Sequence, residues 1–300
     1  MDTELLKTFM EVSRTRHFGR AAENLYLTQS AVSFRVRQLE SLLGVELFSR
    51  QRNNIQLTAA GEKLMPLAES TVKLEQKIRQ EVASVDGQQR QLAVGATPNL
   101  WDGFLQHHVA DLIDSVDGLA VSALAHSSAN LIRQVLERTL DMAFLFDAPK
   151  VDELTTLEVA HLPLYLFSTS NNATAADAVG EGYVMVEWGS SFLNQHNRQI
   201  KTQPNQQILT NTGRIALDCL LARGGAAYLP MALVAPHLER EELFVVEDAP
   251  VISRTVYVSY QSNSGIEHLV DTVVRQIAGA ASNSHPILKK LDPEELGLGG

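Results

Sequence analysis

Apolar residues recur at helical spacing along the first part of the chain, and the spacing then breaks. Leu5, Leu6, Phe9, Met10 and Val12 predict an amphipathic helix over residues 2–15. A second, short helix fits residues 19–25, where Ala21 and Ala22 are small enough for another helix to cross closely. Tyr26-Leu27-Thr28 interrupts the pattern, and Thr28 is a suitable N-cap for a third helix ending near Leu43, with Gly44 as its stop. Two short helices joined by a tight turn describe a helix-turn-helix. At about 100° per residue, Val32, Val36, Leu39 and Leu43 share one sector that faces the core. Ser30, Ser33, Phe34, Arg37 and Ser41 fall opposite, with Gln29 on the first turn.

Beyond Gly44, residues 45–48 and 55–57 read as two short strands around the polar tip 49–54, with Asn53-Asn54 supplying the turn. A long helix is then expected from Thr58 to about Val85. Its apolar positions Leu64, Leu67, Val72 or Thr71, Leu74, Ile78, Val82 and Val85 step by three or four, close to a heptad seam. About 27 residues would span ~40 Å. One apolar stripe on such a helix needs a covering surface, either a second copy or the rest of its own chain. Asp86-Gly87-Gln88-Gln89 ends the helix as a hinge.

From Gln91 strands alternate with helices. Strands at 92–96, 119–125 and 141–146 interleave with helices at 99–113 and 129–138, and this order implies a parallel sheet. A second set follows: strands at 183–187, 207–209 and 226–229, with helices at 191–200 and 214–222. The strand 251–261 and helix 266–278 return to the first lobe. Residues 280–300, with two prolines and a glycine-rich end, read as a mobile tail.

The chain has 300 residues, enough for about two domains. Its 45% apolar content excludes global disorder. No run approaches the ~18 apolar residues of a membrane span. No secretory signal opens the chain, so a cytoplasmic location is expected. The net charge of -10 is unevenly spread. Residues 1–90 carry 13 basic and 11 acidic side chains, whereas residues 91–300 carry 12 and 24. Within 14–54, seven arginines face three glutamates. A basic head on an acidic body suggests two separate tasks.

The exposed face of the third helix suits DNA. Gln29 can pair bidentately with adenine, Arg37 with guanine or a phosphate, and the hydroxyls of Thr28, Ser30 and Ser33 permit close approach. Phe34 would either meet a thymine methyl group or pack within the head. Arg50 and Arg52 would lie along the phosphate backbone as a wing, or simply occupy a solvated hairpin tip.

In open α/β sheets, ligands bind beyond the carboxyl ends of the strands. The candidates there are Thr97, Ser127, Ser128, Phe146, Trp188 and Gly225. Hydroxyls near helix N-termini suit a carboxylate or another anion, and Trp188 would form a wall. Each hydroxyl could equally be an ordinary helix cap, and Trp188 could be core.

Some features carry no chemistry. Cys219 sits in an apolar helical stretch and reads as a buried, inert thiol. His107 and His108 point about 100° apart on a helix and make poor joint ligands with Asp111. No nucleophile elbow, P-loop or dinucleotide fingerprint is present. No catalytic constellation, cofactor or metal is therefore expected, and an enzyme with a DNA-binding appendage is disfavoured.

The run Phe18-Gly19-Arg20-Ala21-Ala22-Glu23-Asn24-Leu25, with Leu27-Thr28-Gln29-Ser30-Ala31-Val32-Ser33, Gln38-Leu39-Glu40, Leu43-Gly44-Val45, Leu47-Phe48 and Leu57-Thr58-Ala59-Ala60-Gly61, resembles the LysR-type transcriptional regulators. The likeness covers about the first 65 residues continuously. The HdfR group of flagellar regulators shares the opening from Met1 to Phe9 and Ser33-Phe34-Arg35, where most of the family has a basic residue in place of Phe34.

The resemblance implies a multidomain α+β chain. It would have a winged helix-turn-helix at 1–58, a dimerising linker helix at 59–87 and a two-lobed α/β effector domain at 88–279, similar to periplasmic binding proteins. It further implies a homodimer or homotetramer, with linker helices paired antiparallel, on pseudo-palindromic promoter DNA. A small-molecule effector would bind between the lobes, and RNA polymerase is a further candidate partner. A nucleoid-organising protein without effector control is the alternative.

Overall fold

The computed structural model describes residues 2–51, 54–83, 90–180, 182–201, 204–262 and 265–281. The chain divides into two units, Met1–Arg90 and Gln91–Gly300.

The first unit holds α1 (Thr3–Thr15), α2 (Phe18–Asn24), α3 (Gln29–Leu43), β1 (Phe48–Gln51), β2 (Asn54–Leu57) and α4 (Ala59–Ala83). Side chains cap the first three helices. Asp2 accepts from Glu4 N, His17 Nδ1 from Gly19 N and Arg20 N, and Thr28 Oγ1 from Ala31 N. Gly44 ends α3 at φ +69°, a left-handed position that glycine adopts freely. Leu6, Phe9, Val12, Val32, Val36 and Leu39 form the centre of the core.

Two expectations are corrected here. Leu43 is 40% exposed, because the last turn of α3 runs past the core and leaves Leu42 and Val45 exposed too. The first strand begins at Phe48 rather than at residue 45, after Glu40 Oε1 has accepted from the backbone N of Leu47 at 2.9 Å. Arg50 therefore lies within β1, paired with Ile55, and Asn54 lies in β2, paired with Gln51. Arg52 and Asn53 fall outside the described residues.

The α4 stripe divides in two. Ala68 and Val72 are buried in the core of their own unit, whereas Leu67, Leu74, Ile78 and Val82 are exposed. Thr58 Oγ1 accepts from Gly61 N and donates to Glu46 O, which fixes the helix start against the segment before β1. Val85, the hinge at 86–89 and the tail from 282 onward fall outside the described residues.

The second unit runs β3 (Arg90–Ala96), α5 (Pro98–Gly103), α6 (Val109–Ser115), β4 (Leu119–Ala125), α7 (Ser128–Leu136), β5 (Met142–Leu145) and β6 (Leu154–Ser168). It continues with α8 (Ala175–Gly180), β7 (Tyr183–Val186), α9 (Ser190–Gln199), β8 (Gln206–Thr210), α10 (Gly213–Arg223), β9 (Ala226–Pro230) and α11 (Met231–Glu239). It closes with β10 (Phe244–Val245), β11 (Ile252–Gln261) and α12 (Glu267–Ala281). The strand order is β4-β3-β5-β11-β6-β9-β7-β8, with β10 on β6.

Parallel pairing is observed for β3 with β5 and for β7 with β8 and β9, as the alternating order implies. It does not extend across the sheet. β11 runs antiparallel to β5 and β6, and β6 antiparallel to β9. These two long strands join β4-β3-β5 and β9-β7-β8 into one continuous sheet. β6 was not expected, because Pro163 interrupts its pattern and proline is unfavourable inside a sheet. The helix expected over 99–113 is broken into α5, a single 3-10 turn at Leu105–His107, and α6. The break follows Gly103, where an added Cβ would stand 2.8 Å from Pro230 Cγ.

Candidate nucleic-acid interface and effector cavity

The third helix presents its polar face as expected. Thr28, Gln29, Ser30, Arg37 and Ser41 are exposed, and Ser33 is half-buried. Thr28 Oγ1 lies 3.0 Å from Ser30 Oγ, so the first turn holds two ordered hydroxyls. Phe34 is 62% exposed, so its ring stands outside the core of the head. Arg35 lies within 3.4 Å of Glu4 and Thr8, tying α3 to α1. The Arg50 side chain is outside the described residues.

Sequence reasoning missed Tyr26. It sits in the turn before α3 with φ +54° and is 97% exposed. A bulky residue in the left-handed region is strained, and such strain clusters at functional turns. The broken apolar pattern at residues 26–28 was the available signal. Arg20 is exposed on α2, while Arg14 is held by Glu11 at 2.6 Å. Arg14, and secondarily Asn24, holds the Glu11 carboxyl below its usual range.

In the second unit a cavity of about 640 Å³ opens at the carboxyl ends of β3, β5, β7 and β8. Thr97, Ser127, Ser128 and Phe146 line it together. Neither Thr97 nor Ser127 uses its hydroxyl to cap the helix that follows, and Thr97 Oγ1 is buried without a partner among the described residues. A buried hydroxyl left unpaired is costly, so a ligand atom there would be stabilised.

Two candidates lie elsewhere. Trp188 is buried, donates from Nε1 to Tyr228 O at 2.9 Å, and meets Phe146 edge-on at 6.0 Å. It supports the wall from behind and does not line the cavity. Gly225 precedes β9 rather than ending a strand, and so lines a different cavity.

The charge of the wall also departs from expectation. Asp147, Glu187 and His126 line the cavity, and no lysine or arginine does so among the described residues. A buried cation lies one layer back. Arg254, on β11, donates from Nη2 to Phe146 O and to Asp147 Oδ1. Its guanidinium carbon is 5.4 Å from the Phe146 ring centroid. Asn99 is a second missed residue. Buried at the start of α5, it accepts from Gly213 N at 2.7 Å and approaches Glu187 O at 3.4 Å, joining the two sides of the cavity.

Cys219 is half-buried rather than buried. His107 ends the 3-10 turn rather than lying on a helix, and among the described residues no group of three acidic, histidine or cysteine side chains could hold a metal.

The family described as "Bacterial regulatory helix-turn-helix protein, lysR family" matches residues 3–62, and "LysR substrate binding domain" matches residues 86–282. The HTH-type transcriptional regulator HdfR of Yersinia enterocolitica (serotype O:8 / biotype 1B, strain NCTC 13174 / 8081) is 40% identical over 295 residues, covering 95% of this chain and 97% of that protein. HdfR of Yersinia pestis (strain Pestoides F) is 39% identical over 297 residues, covering 95% and 99%.

Among solved structures, CbnR, a LysR family transcriptional regulator, superposes with a TM-score of 0.78 at 18% identity, covering 93% of this chain and 99% of that one. Full-length CbnR complexed with its target DNA gives 0.76 at 19% identity, covering 93% and 100%. The chain belongs to the LysR family of transcriptional regulators, with a helix-turn-helix DNA-binding domain and an effector-binding domain.

Proposed function

We propose that this protein reads pseudo-palindromic promoter DNA as a homodimer or homotetramer and changes its grip when a small molecule enters the cavity at Thr97, Ser127, Ser128 and Phe146. The observation that carries the reading is the outward face of α3, where Gln29, Ser30, Phe34 and Arg37 stand clear of the core. Gln29 and Arg37 supply hydrogen-bonding pairs for base edges, and the Phe34 ring supplies a surface for a thymine methyl group. Arg50 and Arg52 hold the backbone beside it. The exposed stripe Leu67, Leu74, Ile78 and Val82 on α4 supports pairing with a second copy, which would set two recognition helices on successive groove faces.

The effector carries an acidic group toward the free hydroxyls of Thr97 and Ser127, and its body contacts Phe146. Its charge is small or internally balanced, since Asp147 and Glu187 share the wall. The protein acts without catalysis, in the cytoplasm at the nucleoid, and RNA polymerase is a partner at the promoter.

Selection of genomic fragments by the purified full-length protein at physiological salt tests this. A few enriched promoters sharing a pseudo-palindrome support it. Diffuse, salt-sensitive binding with no shared motif overturns it in favour of a nucleoid-organising role.

A further inference from the structure

A second cavity, of about 570 Å³, lies at the opposite end of β7 from the proposed effector cavity. Gly182, just before β7, and Val184 within it line this cavity, whereas Val186 and Glu187 at the far end line the other. The floor is bare peptide. A Cβ on Gly225 would stand 2.1 Å from Gly182 O, and Gly182, Gly224 and Gly225 all have positive φ. Only glycine allows these two backbones to approach so closely.

The walls are polar and partly pre-ordered. Thr169 Oγ1 accepts from Gly225 N at 3.0 Å, and Ser168 Oγ accepts from Ser170 N at 3.0 Å. Asp177 is oriented by Thr174, whose hydroxyl donates to its Oδ2 at 2.6 Å. Asn171, Asn172 and Arg223 also line the cavity, and their side chains make no hydrogen bond or ion pair with another described residue. Ala178, Val184 and Ile208 add a small apolar strip.

We infer that this cavity binds a small polyhydroxylated molecule of monosaccharide size. Asp177 only accepts hydrogen bonds, Arg223 only donates, and the two asparagines do both. A ring of hydroxyl groups, each a donor and an acceptor, satisfies that mixed set. A simple anion would meet Asp177 and a unit whose residues 91–300 carry a net charge of -12, with one arginine to hold it. An apolar ligand would leave the amides and hydroxyls unpaired. The apolar strip matches the C–H face of a sugar ring. The volume lies within the usual range of small-molecule sites.

Cys219 provides a local reporter, because it is half-buried in the cavity wall and is the chain's only cysteine. The test measures the rate at which iodoacetamide alkylates Cys219 in the full-length native protein, with D-glucose, D-galactose, D-mannose or D-ribose present. At a sugar concentration about tenfold above a millimolar Kd, alkylation should slow about tenfold. At least one of these sugars should give that protection, and Arg223→Ala combined with Asn171→Ala should abolish it while the melting temperature stays unchanged. Protection by a ligand bound elsewhere would survive in the double variant. The inference is overturned if none of the four sugars protects, if protection survives in the double variant, or if inorganic phosphate alone protects equally well.

Discussion

Arg254 Nη2 donates to Asp147 Oδ1 at 2.9 Å, joining a side chain that is 3% exposed to one that is 54% exposed. A buried guanidinium thus reaches the wall of the proposed effector cavity through a carboxylate that solvent can reach. Arg254 Nε has no partner among the described residues, so Asp147 and the Phe146 carbonyl carry much of its compensation. Removing one partner of a buried charge costs more than the pair itself contributes. Asp147→Asn should lower the unfolding free energy by about 2 kcal/mol, discounted from a fully buried pair because Asp147 is half in solvent. Urea unfolding measures it, and an unchanged midpoint would show that Arg254 finds other compensation.

Arg50 lies in β1 opposite Ile55, beside the helix-turn-helix. If it contacts phosphate, Arg50→Ala weakens binding to all duplexes alike and reduces the salt slope by about one unit. Anisotropy titrations across a salt series give both quantities. A loss confined to one sequence would make Arg50 a reader of bases instead.

Ile78 is exposed on α4 between Leu74 and Val82, one helical turn on each side. A charge there should split a dimer that buries this stripe. Sedimentation velocity should find the parent protein as a dimer or larger and Ile78→Asp as a monomer of unchanged helical content. Assembly retained in the variant would move the interface elsewhere.

His196 is buried, with Nε2 2.9 Å from the Tyr183 hydroxyl and Nδ1 without a hydrogen-bond partner among the described residues. Burial holds its pKa below the ordinary 6.5. The unfolded chain therefore binds this proton first. The stability that neutral His196 contributes is intact above 6.5, declines as pH falls below that value, and is fully lost once the folded-state pKa is passed. His108, lowered by burial and then by its neighbour His107, adds to the same window. His196→Gln should flatten the decline in urea midpoint as pH falls below 6.5, relative to the parent. Equal slopes in the two proteins would remove His196 from the account.

The head was legible because its signals are local. Capping by Thr28, the stop at Gly44 and the sector of Val32, Val36 and Leu39 depend on neighbours in sequence. The cavity was partly legible for a different reason. The rule that ligands sit beyond strand carboxyl ends needs only strand order, and it brought Thr97, Ser127, Ser128 and Phe146 to one place. It failed for Gly225, which precedes a strand, and for Trp188, whose indole turns inward to Tyr228 O. β6 was hidden by Pro163, which stands opposite Ser253, one pair in from the Leu164 end of the antiparallel ladder with β11. Arg254 could not be read at all, because its burial depends on Phe146 and Asp147, 108 and 107 positions away.

The central claim is that the outward face of α3 reads sequence, and Gln29 tests it most directly. Equilibrium binding of the parent and of Gln29→Ala should be compared on a selected promoter site and on a scrambled duplex of equal length. The account predicts a loss of about 1–3 kcal/mol on the promoter site and almost none on the scrambled duplex. Equal loss on both would contradict it and leave Gln29 as a backbone contact.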